Sequence, residues 1–202
     1  VLEIVGIEPI NNQMIEVYFS LPLSDESALD VNNYTIRRSK SSTRIYPKAA
    51  YYDRNEDPNK VVLYLSDDDK LVGNRDYELQ ISKKFKDYMG NITTDYLEED
   101  FTAVAKVKRN LSIKEVVPIS SNAVKLVFDE AIAYDRSNLS PENYSLEYNL
   151  RGISITEVPI SVLYYNSKTL ILKFNDMHYD IPYALKFNSI KDYFGTTYKV
   201  TA

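Results

Sequence analysis

The sequence predicts an all-β protein built from two β-sandwich domains in tandem. Three observations predict this fold: the chain repeats itself with a period near 109 residues, the repeated blocks alternate apolar and polar residues, and no stretch keeps a helical period. The chain has 202 residues, of which 44 % are hydrophobic. That content is sufficient for two hydrophobic cores in domains of about 100 residues each.

The internal repeat consists of seven blocks that recur in the same order. They are residues 9–10 with 118–119, 15–19 with 124–128, 33–36 with 143–146, 51–53 with 164–166, 61–65 with 170–174, 77–81 with 183–187, and 87–90 with 192–195. The offset drifts between blocks, as loops do around a constant framework. The repeat predicts domains at 1–105 and 111–202, joined by a linker at 106–110 that lacks Gly and Pro and so permits only a limited hinge.

Each copy carries about seven strand-like runs, in which alternate residues such as Ile15, Val17 and Phe19 are apolar. Strands are predicted near 2–8, 13–20, 33–38, 45–53, 60–66, 75–82 and 98–104, and again near 111–117, 122–129, 143–149, 153–164, 168–174, 181–188 and 196–201. Seven short strands in about 100 residues indicate an immunoglobulin-like, fibronectin III-like sandwich. Short helical turns are predicted at 25–29 and 135–139.

Gly90 and Gly195 occupy the same place in the repeat, each after an Asp-Tyr pair and one further residue. The chain has only five glycines, so this coincidence predicts a turn with positive φ before the last strand of each copy.

Three stretches of each copy resemble the bacterial Ig-like modules of surface-layer proteins, adhesins and cell-wall-associated proteins. In the first copy they are residues 17–23 leading into Asn33-Tyr34-Thr35-Ile36, residues 77–81 leading into Asp87-Tyr88-Met89-Gly90-Asn91, and the closing strand with Phe101. The resemblance implies an extracellular spacer, assembly or adhesion role on a bacterial cell surface. Thr196 stands where the pattern has Asn, so the capping contact of that Asn is not expected in the second copy.

Composition argues against most other classes of function. The net charge of −5 disfavours nucleic acid as a partner, and no apolar run approaches the length of a membrane span. The chain has no Cys and one His, His178, in a turn-like stretch. We therefore predict no enzyme activity, no cofactor and no transition-metal site. The chain opens on a strand-like stretch, not a signal peptide, and is expected to be an internal part of a longer protein.

Acidic runs give a weak calcium hypothesis. Calcium binds six to eight oxygen ligands, which consecutive carboxylates can partly supply. The candidate ligands are Asp67, Asp68 and Asp69, and a second acidic run covers residues 98–100. A solvated, charged loop is the simpler interpretation.

The 18 tyrosines are the one unusual feature of the composition. Tyr51, Tyr52, Tyr164 and Tyr165 are candidate contacts for a sugar or protein partner, because they form adjacent pairs at one repeat position. Neighbouring strand residues point to opposite faces, so one tyrosine of each pair should be exposed. Exposed tyrosine that favours strands without binding anything is the alternative.

The predicted function is a non-catalytic structural or spacer module pair of a bacterial cell-surface or surface-layer protein, mediating assembly or adhesion. Its partners would be neighbouring domains of a longer chain, and possibly cell-wall polysaccharide or another surface protein. The alternative is a carbohydrate- or protein-binding accessory module of a secreted or wall-bound glycoside-active enzyme. Exposed tyrosines gathered on one face would favour the alternative, whereas scattered ones would favour the spacer.

Overall fold

A computed structural model of the chain describes residues 1–199. The chain divides into two compact units, Val1–Arg109 and Asn110–Ala202, with the boundary inside the predicted linker. The first unit extends beyond residue 105 because hydrogen bonds hold the following residues to it. The amide of Asn12 donates to the carbonyl of Lys106 (2.7 Å), and the amide of Lys108 donates to Oδ1 of Asn12 (3.3 Å).

The first unit has eight strands and one short helix. They are β1 (Ile4–Asn11), β2 (Met14–Phe19), α1 (Asp25–Leu29), β3 (Tyr34–Arg38), β4 (Arg44–Ile45), β5 (Ala49–Tyr51), β6 (Lys60–Tyr64), β7 (Asp76–Ile81) and β8 (Leu97–Thr102). These strands form two antiparallel four-stranded sheets, ordered β1-β2-β6-β5 and β4-β3-β7-β8. The inward residues predicted from alternation, such as Ile15, Val17 and Phe19, lie in one core with Ile36 and Leu79.

The second unit repeats this plan. Its elements are β9 (Ile113–Ser120), β10 (Ala123–Phe128), α2 (Arg136–Leu139), β11 (Tyr144–Leu150), β12 (Ile153–Glu157), β13 (Ser161–Asn166), β14 (Thr169–Lys173), β15 (Ala184–Phe187), β16 (Ser189–Lys191) and β17 (Thr197–Lys199). The sheets are ordered β13-β14-β10-β9, β12-β11-β15 and β16-β17. The all-β fold built from several antiparallel sheets is therefore confirmed, and both helical turns lie where they were predicted. No helix among residues 1–199 has the length and apolarity that crossing a membrane requires.

One predicted strand of each copy is in fact two strands in different sheets. The segment predicted as 45–53 divides into β4, which pairs with β3, and β5, which pairs with β6, with Pro47 between them. The segment predicted as 153–164 divides in the same way into β12 and β13 around Pro159. Proline donates no backbone hydrogen bond, so it suits the corner where a strand leaves one sheet for the other.

The predicted closing strand of the second copy is also different. Residues Thr197–Lys199 form β17, which pairs with β16 in a hairpin, and the remainder of the predicted strand, residues 200–201, lies outside the described residues. The first-copy counterpart of this hairpin is the bridge between Lys86 and Ile92, which comes before β8. Between residues 110 and 199, β8 therefore has no counterpart, and β15 pairs with β11 alone.

A buried tyrosine ties the helical turn to the sheet in each unit. The hydroxyl of Tyr34 donates to the carbonyl of Ala28 (2.7 Å), and that of Tyr144 donates to the carbonyl of Asn138 (2.5 Å). Both rings are fully buried, and burial raises the pKa of both hydroxyls. The repeated Asn-Tyr pair is thus part of the framework that positions α1 and α2.

The predicted glycine turns are confirmed, with φ of +85° at Gly90 and +78° at Gly195. The Asp87 carboxylate accepts from the amides of Met89 and Asn91 and from the Asn91 side chain, each at 2.9 Å. Hydrogen bonds from the Asn91 side chain and from backbone amides hold the pKa of Asp87 below its usual range.

In the second copy Thr196 stands where the first copy has Asn91, and Asp192 is again the acceptor of the turn. Asp192 accepts from the amide of Thr196 (2.9 Å), and Tyr198 donates its hydroxyl to the other carboxylate oxygen (3.0 Å). Burial, together with the negative charge of Asp192, raises the pKa of Tyr198 to about 12. In the second copy, the carboxylate of this turn is therefore also bonded to a side chain of β17.

Candidate interaction surface

The first tyrosine pair does not form an exposed patch. Tyr52 is only 6 % exposed, and its hydroxyl donates to the carbonyl of Pro58 (2.8 Å) and accepts from the amide of Leu23 (3.2 Å). Tyr51 is half-buried at the end of β5. The Tyr52 ring is therefore part of the core and fixes the loops around it, and a ligand contact of Tyr51 or Tyr52 stays a prediction.

The structure aligns the two tyrosine pairs differently from the sequence repeat. The sequence match pairs Tyr51 with Tyr164, whereas in the fold Tyr164 takes the place of Tyr52. The hydroxyl of Tyr164 donates to the carbonyl of Ile132 (3.1 Å), as that of Tyr52 lies 3.1 Å from the carbonyl of Leu23. Leu23 and Ile132 are equivalent, since each forms an isolated bridge with the aspartate of the glycine turn. The counterpart of Tyr164 is thus Tyr52, and not Tyr51.

Tyr165 is the largely exposed member of the four candidates, at 66 %. Its first-copy counterpart is Asp53, so no exposed tyrosine recurs at this repeat position. Other tyrosines with at least half of their surface exposed are Tyr46, Tyr88, Tyr96, Tyr134 and Tyr179. Tyr134 packs edge-on against Tyr164, with ring centroids 5.1 Å apart. In the first unit Tyr88 and Tyr96 line one groove and Tyr46 lies outside it.

One surface of the first unit gathers apolar side chains that the sequence did not point to. Tyr88, Met89, Ile92 and Tyr96 line an open groove of about 660 Å³ beside the Asp87 turn, and every residue lining it belongs to the first unit. Met89 is 70 % exposed, and the other three are about half exposed. The turn causes this exposure, because its buried carboxylate orders residues 87–91 and leaves the next two side chains outside.

One end of this groove is charged. Nζ of Lys83 lies 5.2 Å above the ring of Tyr96 and 3.5 Å from Oδ1 of Asp95. An apolar surface with aromatic rings and one cation–π contact can hold a sugar face or the apolar side chains of a protein. The sequence signal for it was the presence of Tyr and Met at turn positions, where polar residues are more usual.

The acidic candidates have local partners. Oδ1 of Asp67 accepts from Nε2 of Gln13 (3.2 Å) and lies 3.7 Å from Nζ of Lys70, while Oδ2 of Asp69 accepts from Ser66 (3.3 Å). Within residues 1–199, no three or more His, Cys, Asp or Glu side chains gather as a metal site would need. Calcium binding at Asp67, Asp68 and Asp69 stays a prediction. In the described part of the chain, these carboxylates are not gathered into a set of ligands around one point.

His178 lies in an exposed loop whose backbone is tied to a tyrosine. Its amide is 2.7 Å from the hydroxyl of Tyr183, and its ring centroid lies 6.3 Å from that of Tyr148. The aromatic pair Tyr148 and Tyr183 is closer, at 4.8 Å. His178 is thus an exposed loop residue beside the ring of Tyr148.

No protein-family model matches the chain, and no curated protein is significantly similar to it. Among solved structures, the N-terminal part of the bacterial S-layer protein SbsC is 19 % identical over 87 % of this chain and 44 % of that one, with a TM-score of 0.46. The FN1–FN3 domains of chicken CNTN1 are 11 % identical over 98 % of this chain and 63 % of that one, with a TM-score of 0.28.

Pullulanase type I from Bacillus subtilis str. 168 is 10 % identical over 91 % of this chain, with a TM-score of 0.28. The chain spans 22 % of that enzyme, 44 % of the SbsC structure and 63 % of the CNTN1 structure. All three TM-scores are below 0.5, so these likenesses identify neither a family nor an activity. The assignment of the fold rests on the sheets themselves.

Proposed function

We propose that the chain is a non-catalytic structural module pair of a bacterial cell-surface protein, which spaces neighbouring domains and supports assembly or adhesion. The observation that carries this proposal is that the polar groups repeated in both copies are used inside their own module. Tyr34 and Tyr144 hold the helical turns, and Asp87 and Asp192 hold the glycine turns. A repeated polar group that is already satisfied within its module serves rigidity, and not substrate chemistry.

The distribution of surface tyrosine also supports this proposal. The largely exposed rings of Tyr46, Tyr134, Tyr165 and Tyr179 do not recur at one repeat position, whereas the repeated Tyr52 and Tyr164 bond to backbone carbonyls. Tyr88 recurs as Tyr193, but only Tyr88 has half of its surface exposed. A binding face duplicated with the module would present the same ring in both copies.

The groove of the first unit favours a second candidate function, a carbohydrate- or protein-binding accessory module. Tyr88 and Tyr96 are half exposed there beside Met89 and Ile92. This groove is specific to the first copy, because Phe194, the second-copy counterpart of Met89, is buried. A recognition role would therefore belong to one unit of the pair.

A binding screen separates the two functions. The intact chain is tested by co-sedimentation with cell-wall preparations and by calorimetry against a panel of polysaccharides, beside Tyr88→Ala and Tyr96→Ala variants. Tyr46→Ala is the matched control, because Tyr46 is at least as exposed as Tyr88 and Tyr96 and lies outside the groove. The spacer proposal predicts no saturable binding that depends on the groove, so the groove variants should behave as the parent does. Saturable binding that is lost in the groove variants and kept in the control would replace it with the recognition function.

A further inference from the structure

The second unit has an exposed edge strand, β13, at one side of its larger sheet. Among residues 1–199, β13 (Ser161–Asn166) pairs with β14 alone, in the order β13-β14-β10-β9. Its counterpart in the first unit, β5, is the edge of its own sheet in the same position, beside β6. The edge is therefore part of the plan of the module. An edge strand carries backbone groups that can pair with a strand of another chain.

Hydrogen bonds fix the correspondence between these two edge strands. The amide of Lys48 donates to the carbonyl of Tyr64, and the amide of Ile160 donates to the carbonyl of Lys173, both at 2.7 Å. Tyr64 and Lys173 are equivalent, because each pairs with the first residue of the neighbouring strand, β2 or β10. Ile160 therefore stands at the place of Lys48.

The first copy protects this edge, whereas the second does not. β5 is three residues long, and the charged residues Lys48 and Asp53 flank it. Short edge strands and charged side chains keep natural sheets from pairing edge to edge. In the second copy the strand is six residues long, and Ile160 and Tyr165 replace the two charged residues. Residues 158–167 contain no charged side chain, so both protections are missing there.

The side chains along β13 are apolar and open to solvent. Ile160, Leu163 and Tyr165 are 59 %, 56 % and 66 % exposed. Val162 packs against the core, so Leu163 lies on the outer face of the sheet, opposite the half-buried Ile171 of β14. The helical turn α2 contacts β13 but leaves these side chains exposed. Apolar surface that continues from an edge onto a sheet face is typical of a protein contact.

The backbone of β13 presents hydrogen-bonding groups to the open side at Val162. The amide of Phe128 donates to the carbonyl of Lys168 (2.8 Å), and bonded pairs alternate along an antiparallel ladder. The backbone groups of Ile171, three residues further on, therefore face β13, where Leu163 is the paired residue. The amide and carbonyl of the preceding residue, Val162, thus face away from β14.

The chemistry of this edge favours an identical strand as its occupant. A charged partner strand would find no opposite charge along residues 158–167 and would lose the solvation of its own charges. An identical strand has no charge to bury, and it presents the same apolar side chains and the same unprotected edge. Two identical strands that pair antiparallel are related by a two-fold axis, which closes the contact at two copies.

We propose that β13 pairs antiparallel with β13 of a second copy of this chain, so that the two sheets of the order β13-β14-β10-β9 become one. The proposal rests on the assembly role proposed above and names the partner in it. The two-fold axis passes through the Leu163 position, where each Leu163 lies opposite its own counterpart and Val162 bonds to Tyr164 of the second copy.

The ends of the strand select this register. A shift towards the start of β13 would bring Pro159, which donates no backbone hydrogen bond, into the ladder. A shift towards its end would bring in the bulge between Tyr164 and Asn166, where the strand bends.

The chain has no Cys, so a single introduced cysteine tests the contact and its register. Leu163→Cys would place two sulfurs at the axis, where facing Cα atoms are about 4.5 Å apart and a disulfide can form. In a buffer of reduced and oxidised glutathione, the 202-residue variant is expected to give a covalent dimer.

Tyr165→Cys is the matched control on the same strand. Residue 165 is more exposed than residue 163, but its two copies would lie about 13 Å apart along the paired strands, beyond the reach of a disulfide. The covalent dimer should therefore form at least about tenfold faster with Leu163→Cys than with Tyr165→Cys.

Sedimentation equilibrium of chains without cysteine measures the association itself. The parent chain is expected to form dimers as its concentration rises. Leu163→Lys would remove apolar contact and put like charges directly opposite each other, so it should weaken the association at least about fivefold. Ile153→Lys is the control and should leave it unchanged, because Ile153 is 66 % exposed and lies on β12 in the other sheet.

Three results would overturn the proposal. One is a parent chain that stays monomeric up to about 1 mM. The second is formation of the covalent dimer at equal rates by Leu163→Cys and Tyr165→Cys. The third is a dimer that persists in Leu163→Lys and is lost in Ile153→Lys, which would move the contact to β12. Each of them would leave the spacer function in place, since the binding screen tests that function by a different readout.

Discussion

Removing the hydroxyl of Tyr34 tests the framework most directly. Tyr34→Phe keeps the ring, which packs edge-on against Phe85 with centroids 5.9 Å apart, and deletes only the bond to the carbonyl of Ala28 (2.7 Å). The carbonyl then lacks this donor in a site where the tyrosine itself has no exposed surface. An unsatisfied buried acceptor costs about 1–3 kcal/mol, so we expect the first unit to lose that much free energy of unfolding.

The assay must resolve the two units. Hydrogen exchange followed by mass spectrometry in increasing urea reports peptides of each unit separately, and the effect of Tyr34→Phe should be confined to residues 1–109. Tyr144→Phe should act in the same way on the second unit. Tyr165→Phe is the control and should change the free energy of unfolding by less than about 0.5 kcal/mol, because its ring is exposed. Loss below 0.5 kcal/mol for Tyr34→Phe would refute the framework argument.

The same substitution has a signature in alkali. Burial, with a smaller contribution from the charge of Asp30, raises the pKa of Tyr34 well above the value of about 10 in an unfolded chain. A raised folded pKa gives stability that is complete below pH 10 and is lost as the pH rises towards the folded pKa. The parent should therefore lose stability in that range, and Tyr34→Phe should lose less. Identical pH profiles would contradict this assignment.

Three further predictions follow from the turns and the tyrosines. Gly90→Val should destabilise the first unit by about 1–3 kcal/mol in urea titrations, through backbone strain at φ +85° alone, since an added Cβ there would contact nothing within 4 Å. Tyr52→Ala should cost about 3–5 kcal/mol and Tyr165→Ala less than about 0.5 kcal/mol; similar losses would contradict the burial difference. Acid should destabilise the first unit as the pH falls below about 3.9 through the lowered folded pKa of Asp87, and Asp87→Asn should flatten that dependence in thermal melts.

The sequence predicted those features that depend on local patterns. Alternation identified the inward faces of β2 and β7, and the rarity of glycine identified Gly90 and Gly195 as turn residues with positive φ. The helical turn at Asp25–Leu29 followed from its place before the Asn-Tyr pair. Each of these patterns lies within a few residues, so it can be recognised without knowledge of the tertiary structure.

Features that depend on pairing between distant segments were predicted less well. The sequence repeat paired Tyr51 with Tyr164 because both begin a Tyr-Tyr pair. In the fold, Tyr52 is the counterpart of Tyr164, since their hydroxyls bond to the equivalent carbonyls of Leu23 and Ile132. The segment around Pro47 was predicted as one strand, because the alternation of apolar residues does not show which sheet a strand joins. Residues 196–201 read as a closing strand because a short alternating run fits a hairpin equally well.

The bonds at Asn12 have a mechanical consequence for a chain under tension. If β8 alone held the end of the first unit, a pull on residue 109 would peel it from β7 one bond at a time. The amide of Asn12 holds Lys106, and its side chain holds Lys108, so the load also enters the turn between β1 and β2. Force would thereby be shared between both sheets of the first unit, and Asn12 is where it would enter the sheet of β1 and β2.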